Sequence, residues 1–169
     1  MEPFKPKIGK NVWVHSSAQV IGRVTLKDYA NIWPGVVLRG DINEIVIGKY
    51  TNIQDLSLVH LERERGCYVG DYCVVGHQVI LHACTVKSGA LIGMGAIVLN
   101  EAVIGEGALV AAGALVTEGM KVKPESLYVG MPAKFKRKLT KQEVKSQIKW
   151  AERYAALAAE HAKGRFETL

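Results

Sequence analysis

The 169-residue chain is long enough for one domain with a sizeable core, and a composition of 49% hydrophobic and 22% charged residues is that of a globular protein, not a disordered one. No apolar run is long enough to span a bilayer, and the first residues lack an apolar signal core, so a cytoplasmic protein without a membrane partner is expected. The net charge of +6 sits wholly in the tail, residues 120–169; aromatic residues are not interleaved there for base stacking, so no nucleic-acid partner is expected either.

From Val14 onward an aliphatic residue recurs every six positions: Val14, Val20, Leu26, Ile32 and Leu38. The series resumes as Ile47, Ile53 and Val59, then as Val69, Val75 and Leu81, and then runs unbroken through Val86, Ile92, Val98, Ile104, Val110 and Val116. A period of six does not suit a helix. It suits short strands joined by tight turns, each strand sending one aliphatic side chain inward, with three strands closing a triangular coil. The expected fold is therefore an all-β solenoid, a parallel β-helix over residues 1–120. Residues 121–139 are expected as a connecting turn segment, with Gly130 and Pro132 as punctuation. A C-terminal α-helix is expected over 140–163, packed on the β-helix. Thr140 and Glu143 form its capping box, and Gly164 ends it. Its apolar stripe is read as Val144, Ile148, Ala151, Ala155 and Ala158.

The repeat index serves as a coordinate, because residues three repeats apart lie one coil above one another. The gap between Val59 and Val69 holds extra residues, read as a loop around Glu62–Gly66. With those removed, His60 and His82 follow equivalent repeat positions and stack on one face, with Arg39 in the same column. Asp55 and His77 form a second column on another face. Within one chain His77 does not reach the other two imidazoles. A cyclic trimer would set one column against the next chain's other column, giving three equivalent interface sites.

Three imidazoles with one open position suit catalytic zinc, which lowers the pKa of bound water to about 7. Arg39, Asp41, Gln54 and Asp55 are the polar groups around such a site. His15 and His161 fall outside the columns and are read as structural or exposed. Cys67, Cys73 and Cys84, an odd number without CxxC spacing, make neither a disulfide framework nor a cysteine-rich zinc site.

Arg39-Gly40-Asp41, Gln54-Asp55, His60, Gly76-His77 and His82, in this order within hexapeptide repeats, resemble the γ-class carbonic anhydrases of the hexapeptide-repeat superfamily. The resemblance covers about residues 11–118 and implies a left-handed coil and a homotrimer hydrating carbon dioxide. It assigns His60 and His82 of one subunit and His77 of the next to zinc, and Arg39 and Asp55 to an interfacial salt bridge. It also assigns Gln54 to the water on the zinc and Asp41 to orienting the site. In the short bacterial subgroup a tyrosine of the C-terminal helix approaches the metal, which implies Tyr154. Two departures stand out. Ile42 follows Asp41 where the long members carry glutamate, and the loop Glu62-Arg63-Glu64-Arg65 is short, so no proton-shuttle glutamate carries over by position. Iron or cobalt are alternatives to zinc. An acyltransferase or thioesterase acting on acyl-coenzyme A, and a non-catalytic scaffold trimer stapled by metal, are the competing functions.

Overall fold

The computed structural model describes residues 3–167. Among the described residues, nineteen short strands are followed by one helix, α1 (Lys141–Ala162). The strands wind into a parallel β-solenoid, and the hexad positions hold it together. Val14, Ile32, Ile53, Val75, Ile92 and Val110 pair in register up one face. Val20, Leu38, Val59, Leu81, Val98 and Val116 do so up the second. Leu26, Ile47, Val69, Val86 and Ile104 line the third. From Leu26 onward each of these side chains is at most 2% exposed, so every rung adds one fully buried aliphatic residue per face.

The coil runs further than the aliphatic series read above. Lys7–Ile8 pairs beside Thr25–Leu26 at the start. Residues 121–139, expected as a connecting turn, carry three strands. Lys121–Val122 pairs with Val103–Ile104, and Ser126–Val129 pairs with Leu109–Val110. Val122 and Tyr128 continue the six-residue spacing beyond Val116, with buried Tyr128 standing where the other rungs have an aliphatic side chain. The chain then folds back through Gly130, and Lys134–Lys138 pairs antiparallel to Ser126–Val129 as the last strand of that face.

Corners place residues in the left-handed region. One corner stacks Tyr29, Tyr50 and Tyr72, all at positive φ, with ring centroids 4.5 and 5.0 Å apart.

Helix α1 starts as expected, with the reciprocal Thr140 and Glu143 capping box, and Gly164 follows its end at φ 73°. It packs along the strands Trp13–Val14, Asn31–Ile32, Asn52–Ile53 and Val74–Val75. The contact face differs from the stripe read from sequence. Ala151 and Ala158 are buried, but Ile148 is 36% exposed and Gln147 is 3% exposed in its place. The reason is polar. Gln147 Nε2 donates to the carbonyls of Gly89 and Gly107, 3.0 Å from each, satisfying corner groups of two successive coils. Near its end, His161 lies against Trp13 and Trp33, with centroids 5.1 and 5.2 Å away. Among the described residues, no helix is long and apolar enough to cross a membrane.

Candidate metal centre

His60 and His82 end the adjacent strands Leu58–His60 and Ile80–His82 and are direct partners in register. His60 Nδ1 lies 3.2 Å from His82 Nε2. The extra residues between them leave the coil as a turn closed by Glu62 N–H donating to Arg65 O (3.0 Å), and the ladder resumes at Cys67 beside Ile45.

Arg39 lies one coil below, after Leu38, which pairs with Val59. Its guanidinium turns to Asp41 (2.5 Å), and Asp41 Oδ1 lies 3.2 Å from His60 Nε2. Gly40 between them has no room for a side chain: a Cβ would stand 2.6 Å from the Arg23 carbonyl oxygen of the preceding coil. The Arg39 guanidinium, with His60 as a weaker hydrogen-bond partner, holds the Asp41 carboxyl down at about 2. Asp41 is therefore a fixed negative charge beside His60 at neutral pH.

Two further residues complete this group. His82 Nδ1–H donates to Asn100 Oδ1 (2.6 Å), and Asn100 Nδ2 donates to Glu62 Oε1 (2.6 Å). Asn100 was missed in the sequence, although it stands eighteen residues after His82, one coil higher. Its neutral amide gives no charge or imidazole signal to mark it as part of that column.

His77 occupies a different face. Ile53 and Val75 pair in register, which puts Asp55 beneath His77, and Asp55 Oδ2 accepts from His77 Nδ1 at 2.8 Å. Leu56 and Gln78, the next residue in each coil, turn the corner at φ 60° and 56°. Gln54 is buried and donates its amide to Asn52 Oδ1 (2.9 Å). Gln54, His77 and Tyr154 of α1 line a half-open cavity of about 430 Å³ between helix and solenoid. Burial and the nearby Asp55 carboxylate raise the Tyr154 phenol above its ordinary pKa, so it stays protonated at neutral pH.

The single chain thus assembles two groups: Arg39, Asp41, His60 and His82 on one side, and Gln54, Asp55, His77 and Tyr154 on the other. Arg39 and Asp55 each pair within their own group. Among the described residues, no cluster of three or more His, Cys, Asp or Glu side chains is placed to hold a metal within one chain. The donor chemistry of the first group nonetheless fits a cation. Donation from Asn100 to Glu62 leaves Asn100 Oδ1 as the acceptor, so His82 carries its proton on Nδ1 and presents Nε2 as a lone pair. His60 then lies between that lone pair and the Asp41 carboxylate, with two acceptors facing it and only one proton on a neutral ring. A bound cation resolves that mismatch. The cysteines do not compete for this role: all three are buried free thiols, and burial pushes Cys73 up to about 12.

A profile described as bacterial transferase hexapeptide (six repeats) matches residues 5–40. A protein of Methanocaldococcus jannaschii named "Probable carbonic anhydrase" is 46% identical over 89% of this chain and 95% of its own length. The chain belongs to the γ-class carbonic-anhydrase-like proteins of the hexapeptide-repeat superfamily. The class name comes from a longer relative, Gamma carbonic anhydrase 2, mitochondrial, of Arabidopsis thaliana, 42% identical over 93% of this chain and 59% of the relative. Among solved structures, a hexapeptide transferase family protein from Anaplasma phagocytophilum matches with a TM-score of 0.89 and 42% identity, covering 92% of each chain. A γ-class-like chain carrying both histidine columns therefore shares its coil with proteins named as transferases.

Proposed function

We propose that this chain is a metal-dependent hydratase interconverting carbon dioxide and bicarbonate. The observation that carries the reading is the in-register His60–His82 pair with its unmatched acceptors beside an ionised Asp41. The γ-class relatives support it. In this reading, His60 and His82 hold the metal together with His77 of a neighbouring copy in a homotrimer, and zinc is the proposed ion, with iron or cobalt as alternatives. The free buried thiols fit a cytoplasmic location.

A divalent ion held there acts as a Lewis acid and makes water nucleophilic near neutral pH. The protein's groups do the rest. Asp55 accepts the His77 Nδ1–H hydrogen bond, which keeps the proton on Nδ1 and leaves Nε2 as the ligating atom, as Asn100 does for His82. Asp41 balances the positive charge of the site. Gln54, held by Asn52, and the protonated Tyr154 present polar atoms at the open side, where they orient water and bicarbonate. Arg39, paired with Asp41, and Asp55, paired with His77 in the single chain, would change partners to form a salt bridge with each other across the assembled interface.

The test is metal content per chain on anaerobically purified protein, run beside carbon dioxide hydration on the same sample. About one metal per chain with activity supports the reading. Metal without hydration points to the scaffold, and no metal after reconstitution overturns the three-histidine site. His60→Ala and His77→Ala chains, each inactive alone, should regain some activity in verified mixed trimers. The transferase name of the Anaplasma structure favours a second reading, an acyltransferase or thioesterase, which predicts binding of acyl-coenzyme A.

A further inference from the structure

The cavity beside His77 is too large and too apolar for its proposed substrate. Carbon dioxide and bicarbonate have only three and four heavy atoms, and a single water takes about 30 Å³, whereas the cavity measures about 430 Å³. Its walls are Val74 and Leu91 on the solenoid, Met94 at the corner above His77, and Trp150 on α1. Met94 is 58% exposed and Trp150 50% exposed, and the two flank the opening. Arg153, one helix position from Tyr154, is the one fixed positive charge in the lining. Among the described residues it has no carboxylate within ion-pair distance. An apolar chamber of this size with one convergent cation is the form of a small-ligand site.

We infer that this cavity binds a monocarboxylate with an apolar body, its head group at Arg153 and its body against Met94, Leu91 and Trp150. A carboxylate shares the planar O–C–O geometry and charge of bicarbonate, so such a ligand would occupy the place from which bicarbonate leaves. The position of the head group rests on the hydratase reading; the apolar part of the site does not. A carboxylate metabolite bound there would hold the hydratase in check.

The experiment is calorimetric titration of the assembled, metal-loaded protein with sodium octanoate, and separately with n-octylamine, which has the same chain and the opposite charge. Octanoate is expected to bind at one site per chain, and octylamine at least tenfold more weakly. Arg153→Gln should weaken octanoate about tenfold, the order expected for one lost charge-assisted hydrogen bond. Met94→Trp, which fills the chamber at an exposed position and so spares folding, should abolish binding. No heat with octanoate, equal binding of the amine, or unaltered affinity in Met94→Trp would overturn the inference. Carbon dioxide hydration, measured on the same samples without octanoate, keeps the two readings apart. Active protein that ignores octanoate defeats this inference alone, and inactive protein that binds it defeats the hydratase alone.

Discussion

Asn100 joins His82 to Glu62: its carbonyl oxygen accepts from His82 Nδ1 and its amide donates to the Glu62 carboxylate, both at 2.6 Å. One side chain from the coil above thereby fixes which nitrogen of His82 is free. Groups that orient a ligating histidine commonly contribute 10–100-fold to metal affinity. Asn100→Leu should lose about that much zinc affinity, measured by chelator competition, with the far-ultraviolet spectrum unchanged. The double variant Asn100→Asp with Glu62→Gln keeps an acceptor for His82 and a donor against it, and should recover most of the affinity. Unaltered affinity in Asn100→Leu would remove Asn100 from the site.

Gln147 tells a similar story away from the site. Replacing it with leucine leaves the Gly89 and Gly107 carbonyls without their donor. Two lost hydrogen bonds to buried acceptors, offset in part by removal of its own unpartnered Oε1, should cost about 1–2 kcal/mol. Hydrogen exchange should show the α1 amides opening faster while the solenoid strands stay protected.

The start of α1 should be sensitive to acid. Arg137, through two hydrogen bonds at 2.7 and 2.9 Å, and then the Thr140 amide hold the Glu143 carboxyl down at about 2, from an ordinary 4.5. A depressed native pKa means the unfolded chain takes up the proton first, so the contribution is complete above about 4.5 and fades as pH falls toward 2. Between pH 5 and 3 the urea midpoint of the natural chain should fall more steeply than that of Glu143→Gln. Parallel curves would assign the acid sensitivity elsewhere.

Gly40→Ala should destabilise the strand Val37–Ile47 that carries Arg39 and Asp41, because the new methyl meets the Arg23 carbonyl at 2.6 Å. Overpacking against backbone costs about 1–3 kcal/mol. The thermal midpoint should drop, and hydration should fall further than stability alone explains, since the strand segment that aims Asp41 at His60 must shift.

The legible part of the molecule is the part that repeats. From Val14 through Val116 the inward position on each rung carries an aliphatic side chain, so the spacing predicts the observed register, including His60 against His82 and Asp55 beneath His77. The period places Asn100 one coil above His82 but says nothing of its hydrogen bond, and the pairing of Arg39 with Asp41 within one coil is not readable from it. The series read from sequence stops at Val116, although Val122 keeps the six-residue spacing and Tyr128 fills the following rung with an aromatic ring. On α1 the helical period selects apolar residues. Gln147 faces the solenoid for its hydrogen bonds and is absent from the stripe read from sequence, which has Ile148 instead. Seventeen aliphatic positions outvote a single exception, whereas one helix has few residues with which to correct a polar contact.

A solenoid has an inherent difficulty at its ends, where a finished rung is also a template for the next. Here the face that ends in Ser126–Val129 is covered by Lys134–Lys138, whose sequence Lys-Phe-Lys-Arg-Lys is exposed throughout and runs in the opposite direction. A second molecule trying to continue the coil there would meet an antiparallel strand and four positive charges, and two such ends would repel. The tail's surplus of basic residues thus has a use that involves no partner: it gives a fold able to lengthen without limit a fixed last rung.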